Sequence, residues 1–194
     1  MVQTFIRDFL DGRPLDDLRV VSACAGQGRD LLGVLAGHPG SDHITARLIE
    51  LDPGNAEIAR ATARRAGLDQ VEVVVADASV TDTYVGAVPA DLVLMCGVFG
   101  NISNEDVEAT VRLLPGFCAP QGVVVWTRGR RQPDLTPSIR RWFSEAGFRE
   151  MAFESPGLDS FAVGMHQLTR KPSALQGGRR LFRFRDPGPL PPRP

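Results

Sequence analysis

The chain has 194 residues, a formal net charge of -1, 43% hydrophobic residues and 23% charged residues, which is the profile of an ordinary globular protein with room for one sizeable core. That balance excludes a global electrostatic case for binding nucleic acid or an acidic membrane surface, while leaving room for a local basic patch. No apolar run approaches bilayer-spanning length, MVQTFIRDFLDGRP does not read as a signal peptide, and the three scattered cysteines, Cys24, Cys96 and Cys118, lack paired metal-ligand spacing. A reducing, cytoplasmic setting with no membrane partner and no metal site is therefore expected.

Val2, Phe5, Ile6, Phe9 and Leu10 recur at helical spacing and predict an opening amphipathic helix. Residues 18–21 read as a short buried strand, Gly26-Gln27-Gly28 as a tight turn, and 29–35 as a helix. A second strand is expected over 46–51. Residues 53–66 then form a helix with Asp52 as N-cap, Pro53 at its first position and Gly67 closing it. Residues 71–75 give a third strand, and 90–95 a fourth that is nearly all apolar and so buried on both faces. Ser103, with Asp106 three residues on, caps a helix reaching about Phe117. A fifth strand follows over 122–127. Thr136 and Pro137 open another helix that ends near Ala146-Gly147. Residues 148–153 and 161–168 are two strands joined by a short Ser-Pro-Gly loop.

This alternation predicts a parallel sheet with helices on both faces, to which the closing hairpin adds an antiparallel strand. Residues 1–170 are expected to form one domain and 171–194 a C-terminal extension. Within that extension, 179–185 reads as one extra edge strand, and DPGPLPPRP is too rich in proline to join a core and reads as disordered.

The chemistry concentrates in Val20-Val21-Ser22-Ala23-Cys24-Ala25-Gly26-Gln27-Gly28-Arg29-Asp30. A small-residue turn between a strand and a helix lets a ligand lie against bare backbone, and the helix start offers unpaired N–H groups. Glu50 ends the second strand, 22 residues after Gly28, where a carboxylate can accept both hydroxyls of a ribose. Asp77 ends the third strand, where it can accept from an adenine amino group while the Ala78 N–H reaches a ring nitrogen. Taken singly, Glu50 reads equally well as a strand-end charge and Asp77 as a turn cap. Together, at the carboxyl ends of neighbouring strands, they favour a nucleoside site.

With these residues the sequence resembles the class I methyltransferases that use S-adenosylmethionine (SAM), from about Leu18 to Leu168. The first motif of that family, acidic-x-Gly-x-Gly-x-Gly, lies along residues 22–28: Ser22 stands at the acidic position, Cys24 at the first glycine, and Gly26 and Gly28 at the other two. Asp30 is a candidate for the missing negative charge. Ile-Glu-Leu-Asp-Pro resembles the end of the family's second strand, and Asp77-Ala78 its adenine-binding pair. The wording Ala-Cys-Ala-Gly-Gln-Gly-Arg-Asp resembles an uncharacterised bacterial branch. The resemblance implies a three-layer Rossmann-like sandwich around a mostly parallel seven-stranded sheet whose last strand is antiparallel. It implies SAM as cofactor, held by Ser22, Cys24, Ala25, Gly26, Gly28, Glu50, Leu51, Asp77, Ala78, Cys96, Gly97 and Val98. A dinucleotide fingerprint fails, because its third glycine would fall at Leu31.

The loop after the fourth strand, 96–102, should border SAM and the acceptor, with Phe99 and Asn101 either orienting an acceptor or packing the loop as turn residues. It lacks the Asn/Asp-Pro-Pro-aromatic signature used on nucleobase nitrogens, so a small-molecule acceptor is expected and nucleic acid is not. Arg128, Arg130 and Arg131 could face an anionic acceptor or form a solvated loop; His166 could be a general base or a structural strand histidine. No catalytic residue stands out. A methyltransferase acting on an O or N nucleophile, a SAM-binding regulator without turnover, and a nicotinamide-dependent oxidoreductase are the readings the sequence leaves, in that order. The acceptor cleft is expected to be open in this chain alone, closed by a homodimer partner or by the 179–185 segment.

Overall fold

The structure is a computed structural model that describes residues 1–13, 17–157 and 160–185. Strands β1 (Leu18–Ala23), β2 (Ile44–Glu50), β3 (Val71–Val75), β4 (Ala90–Met95), β5 (Cys118–Gly129), β6 (Phe148–Glu154) and β7 (Phe161–Leu168) form one sheet in the order β3-β2-β1-β4-β5-β7-β6. Pairing is parallel from β3 through β5, and β7 runs antiparallel to both β5 and β6. Among the described residues five α-helices cover the sheet: α1 (Val2–Asp11), α2 (Arg29–Leu35), α3 (Pro53–Arg65), α4 (Asn104–Leu113) and α5 (Thr136–Glu145). This is the three-layer Rossmann-like sandwich that the resemblance implies.

Local signals place these elements. The Asp52 carboxylate accepts from the Asn55 N–H at 2.7 Å and Pro53 fills the first helical position, so α3 starts where its sequence says. Ser103 accepts from the Asp106 N–H at 3.0 Å and starts α4 in the same way. Two cores result, one on each face. Phe5, Ile6 and Phe9 of α1 pack with Leu31 and Leu32 of α2 and Ala56 and Ala59 of α3 over Val20, Leu48 and Leu94. On the other face Val111 of α4 and Phe143 of α5 pack over Val21, Val93 and Trp126. Leu48 and Leu94 are at most 1% exposed, and truncating either to alanine should cost roughly 2–5 kcal/mol.

Three expectations change. The helix after Ser103 stops at Leu113 and gives way to a single 3-10 turn, Leu114–Gly116, because Pro115 carries no N–H to continue it. Strand β5 begins at Cys118, earlier than 122, with a register shift opposite Ala90 and Leu92 and Gln121 in the left-handed region at φ 62°. Residues 179–185 do not form an edge strand: Arg180 and Phe184 make isolated bridges with Val80 and Ile102. Consecutive Leu181 and Phe182 are both buried, a pattern that a one-faced edge strand would not make.

The segment is instead a strap over the loops that follow β3 and β4. The Ser173 N–H donates to the Pro115 carbonyl at 3.3 Å, Leu181 N–H to Ser79 at 2.7 Å and Arg185 N–H to Asn101 at 2.9 Å. The Arg183 N–H donates to the Asp106 carboxylate at 2.9 Å. The proline-rich residues 186–194 and hairpin residues 158–159 lie outside the described residues.

Candidate functional site

The carboxyl ends of β1, β2 and β3 meet at the turn after Ala23. Cys24 (φ 51°), Gly26 (φ 55°) and Gly28 (φ 71°) alternate in the left-handed region, which folds the chain sharply from β1 into α2. The Gly28 N–H donates to the Ala25 carbonyl at 2.9 Å, and the Ala25 N–H donates to Ile49 at 2.9 Å, so the turn is pinned to β2. The two glycines do different things. A side chain on Gly28 would strike Leu32 and Leu48 at 2.7 Å, whereas one on Gly26 would meet nothing within 4 Å. Space therefore lies open above Gly26.

Glu50 is hydrogen-bonded to the same glycine. It is 9% exposed, and each carboxylate oxygen takes one backbone N–H: Oε2 from Gly26 at 2.7 Å and Oε1 from Asp52 at 2.8 Å. A carboxylate has about four acceptor positions, of which these backbone donors take two. Beside it Leu51 is 64% exposed and Val75 45% exposed, large apolar surfaces at a strand end.

Asp77 sits one strand further out. Its Oδ1 accepts from the Ser79 N–H at 2.8 Å, and Oδ2 lies 3.3 Å from a guanidinium nitrogen of Arg180, which also reaches the Ser79 hydroxyl. Partial burial raises the Asp77 carboxyl, but the hydrogen bonds from Ser79 and Arg180 outweigh it and hold the group below the usual carboxylate range. Burial, with the charges of Glu50 and Asp77 added, pushes the Cys24 thiol up to about 12, so it is a neutral packing group and no nucleophile. Burial likewise pushes up the Cys96 thiol, and the negative charge of Asp30, in the first turn of α2, adds to it.

Of the residues read as cofactor ligands, the structure brings together Cys24, Ala25, Gly26, Glu50, Leu51 and Asp77 around the ends of β1–β3. Ser22 is buried within β1, between Leu48 and Leu94, and the Gly28 backbone is packed under Leu32. Ala78 is buried, its carbonyl accepting from the Tyr84 hydroxyl at 2.7 Å. Gly97 (φ 76°) has open space above it and donates its N–H to the Thr127 hydroxyl at 2.8 Å, while the Val98 side chain is fully buried.

Two expected acceptor contacts are corrected. Phe99 is fully buried, its ring 6.0 Å from Trp126 and 6.5 Å from Phe143, because the turn after β4 folds it under α5. His166 is 1% exposed in the middle of β7: its Nδ1 accepts from Trp126 Nε1 at 3.1 Å, and its ring stacks on Phe143 at 4.4 Å. Burial lowers its pKa to about 4, against the pull of Glu150, so it is a neutral core residue away from the strand ends and not a base for an acceptor. Asn101 is exposed, but its amide donates to the Gly97 carbonyl at 2.6 Å and so braces the loop.

Arg128 does reach a cleft. At the ends of β4 and β5 lies a space of about 570 Å³ lined by Asn104, Arg128, Arg131, Ser160, Phe161 and Arg185, among others. Arg128 donates to the Phe99 carbonyl and approaches the Asn104 amide oxygen at 3.5 Å. Arg130 turns away and pairs with Asp134 at 2.9 Å. Sequence reasoning missed Ser79, Asn104, Arg180 and the role of Arg185. For Arg180 and Arg185 the signal was the basic, aromatic run 179–185, whose place in the fold depends on the strap crossing the strand ends; Ser79 and Asn104 carried no signal of their own. Among the described residues no group of three His, Cys, Asp or Glu side chains could hold a metal ion, and no helix is long and apolar enough to cross a membrane.

No protein-family model and no curated protein matches this sequence. Solved structures do match its shape. Magnesium protoporphyrin IX methyltransferase from Synechocystis PCC 6803, solved with bound SAM, is 12% identical with a TM-score of 0.65, over 86% of this chain and 77% of that one. An RNA methyltransferase from Salinibacter ruber, in complex with S-adenosylhomocysteine, is 19% identical with a TM-score of 0.56, over 89% and 96%. The [4+2]-cyclase SpnF is 16% identical with a TM-score of 0.61, over 87% and 81%. These likenesses establish the fold, that of class I methyltransferases, and the cyclase shows that the fold alone does not fix the reaction.

Proposed function

We propose that the protein binds SAM at the ends of β1–β3 and transfers its methyl group to a small molecule bound beside β4 and β5. One observation carries this reading: the buried Glu50 carboxylate, the open space over Gly26 and the bare Leu51 surface stand together at neighbouring strand ends. That set suits a nucleoside, with Glu50 accepting from ribose hydroxyls and Leu51 covering an adenine face. Asp77 is held ionised and can accept from the adenine amino group. The Gly26 turn leaves room for the methionine part, and Asp30 in the first turn of α2 supplies negative charge. SAM would supply an electrophilic methyl group on a sulfonium, so the chain's share of the work is to align an acceptor and limit water.

The described lining of the cleft beside β4 and β5 holds no carboxylate, histidine or thiol. This fits an acceptor that needs no protein base, and it equally supports the second reading, a SAM-binding regulator without turnover. Three free cysteines fit a reducing, cytoplasmic location.

The test is titration calorimetry of the full chain. SAM and S-adenosylhomocysteine should bind and NAD should not. Glu50→Ala should weaken binding at least tenfold, because a charged acceptor's hydrogen bonds are worth roughly 1.5–3 kcal/mol. The same substitution should lower stability by roughly 1–3 kcal/mol, since the Gly26 and Asp52 N–H groups lose their acceptor. NAD binding without SAM binding would overturn the assignment. Release of S-adenosylhomocysteine from an acceptor mixture separates the enzyme from the regulator.

A further inference from the structure

We propose that the cleft at the ends of β4 and β5 is an anion site, which anchors the carboxylate or phosphate of a small acceptor through Arg128, Arg131 and Arg185. This deepens the functional reading above and rests on it for the word acceptor. The anion site itself stands on the cleft alone.

Among the described residues the charge balance of the cleft is one-sided. Three arginines line it, and among the described residues no carboxylate does. None of the three forms an ion pair among the described residues, whereas Arg130 next to them is neutralised by Asp134 at 2.9 Å. Asp159 and Asp186, the nearest acids in sequence, lie outside the described residues. Arg128 is further constrained: burial lowers its pKa, and the positive charge of Arg185 lowers it again, with Asp134 opposing. Arg128 and Arg185 thus line one cleft as like charges, and Arg128 is partly desolvated. An anion between them offsets that like charge and accepts several charge-assisted hydrogen bonds at once.

The arrangement is built and not incidental. Arg128 is fixed by its bonds to the Phe99 carbonyl and Asn104. Arg185 comes from the strap, where its N–H is tied to Asn101 at 2.9 Å. Phe161, at the start of β7, is 45% exposed and gives the cleft an apolar wall. A volume of about 570 Å³ is in the range of small-molecule pockets. The ligand that fits is a small molecule with an apolar body and an anionic end. Because β5 lies two strands from β1, the anionic end and the reacting nucleophile would be separated by up to about 10 Å. A nucleic-acid strand is also anionic, but a cleft of about 570 Å³ has the size of a small-molecule pocket, and an oligonucleotide probe separates the two.

The experiment follows the arginine side-chain N–H signals of the full chain by nuclear magnetic resonance. Inorganic phosphate, benzoate and a 12-nucleotide single strand serve as probes, and S-adenosylhomocysteine is titrated in parallel. The signals of Arg128, Arg131 and Arg185 should move together and saturate with phosphate or benzoate, and the tighter probe assigns phosphate or carboxylate. The double substitution Arg131→Gln and Arg185→Gln should weaken that probe at least tenfold and leave the S-adenosylhomocysteine affinity unchanged. Shifts that never saturate, or that are equal at the exposed Arg64 and Arg141, overturn the site, as does tighter binding of the oligonucleotide than of either small anion. Saturation by a small anion without S-adenosylhomocysteine binding keeps the anion site and overturns the methyltransferase reading.

Discussion

Among the described residues at the ends of β1, β2 and β3 the site-facing carboxylates are Glu50 and Asp77, the latter paired with Arg180 of the strap, set among small residues and bare Leu51. At the ends of β4 and β5 the charges are the guanidiniums of Arg128, Arg131 and Arg185, set beside exposed Phe161. The two regions share one sheet edge and carry opposite charge. The acidic half is assembled from the ends of adjacent parallel strands, and backbone N–H groups hold its central carboxylate. The basic half is assembled from a strand end, a loop and a strap that returns from the far end of the chain. Opposite charges can thus be segregated along one sheet edge while the chain's net charge stays near zero, an arrangement that suits the proposed cationic cofactor and anionic acceptor.

The adjacent glycines of the acidic half offer the largest effect by which to break this account. Gly28→Ala places a Cβ 2.7 Å from Leu32 and Leu48 at φ 71°, and should destabilise the chain by roughly 2–5 kcal/mol from strain and overpacking combined. Gly26→Ala meets open space at φ 55°; it should cost only about 1–2 kcal/mol of stability and yet weaken S-adenosylhomocysteine binding more than stability explains. Denaturant unfolding and calorimetry on both variants decide. Equal stability losses with unchanged binding in Gly26→Ala would mean the space over Gly26 holds no ligand.

His166 sharpens the comparison from outside, because it belongs to neither half. The folded chain keeps it neutral down to about pH 4, against an ordinary value of 6.5. Between those values the unfolded chain binds more protons, so stability should fall as pH drops from 6.5 to 4, by about 3 kcal/mol for this group. Unfolding measured at pH 7 and at pH 4.5 checks this. His166→Gln, which can still accept from Trp126, should flatten the difference and leave ligand binding at pH 7 unchanged. A binding loss in His166→Gln would return the residue to the site.

Most of the fold was legible because its signals are local. Asp52-Pro53 starts α3, the apolar run of β4 needs burial on both faces, and the closing helix, strand and strand place β7. The acidic half was legible for the same reason, since its residues sit at fixed offsets from strand ends. Phe99 and His166 each left two readings open, because the choice between them is made by packing against Phe143 of α5, which no local pattern reveals. The basic half was only partly legible: Arg128 and Arg131 stood near each other, but Arg185 joins them through the strap's bonds to Ser79, Asp106 and Asn101. Two consecutive buried residues, Leu181 and Phe182, were the sign that this segment crosses the fold and does not extend the sheet.

Backbone amide chemical shifts of the full chain, recorded with and without S-adenosylhomocysteine, test the division of the edge most directly. The account predicts the largest changes at residues 24–28, 50–52, 77–79 and 96–98, with the arginine-lined cleft at 128–133 little altered by this ligand alone. Changes centred on 128–133, or no change along the ends of β1–β3, would contradict it.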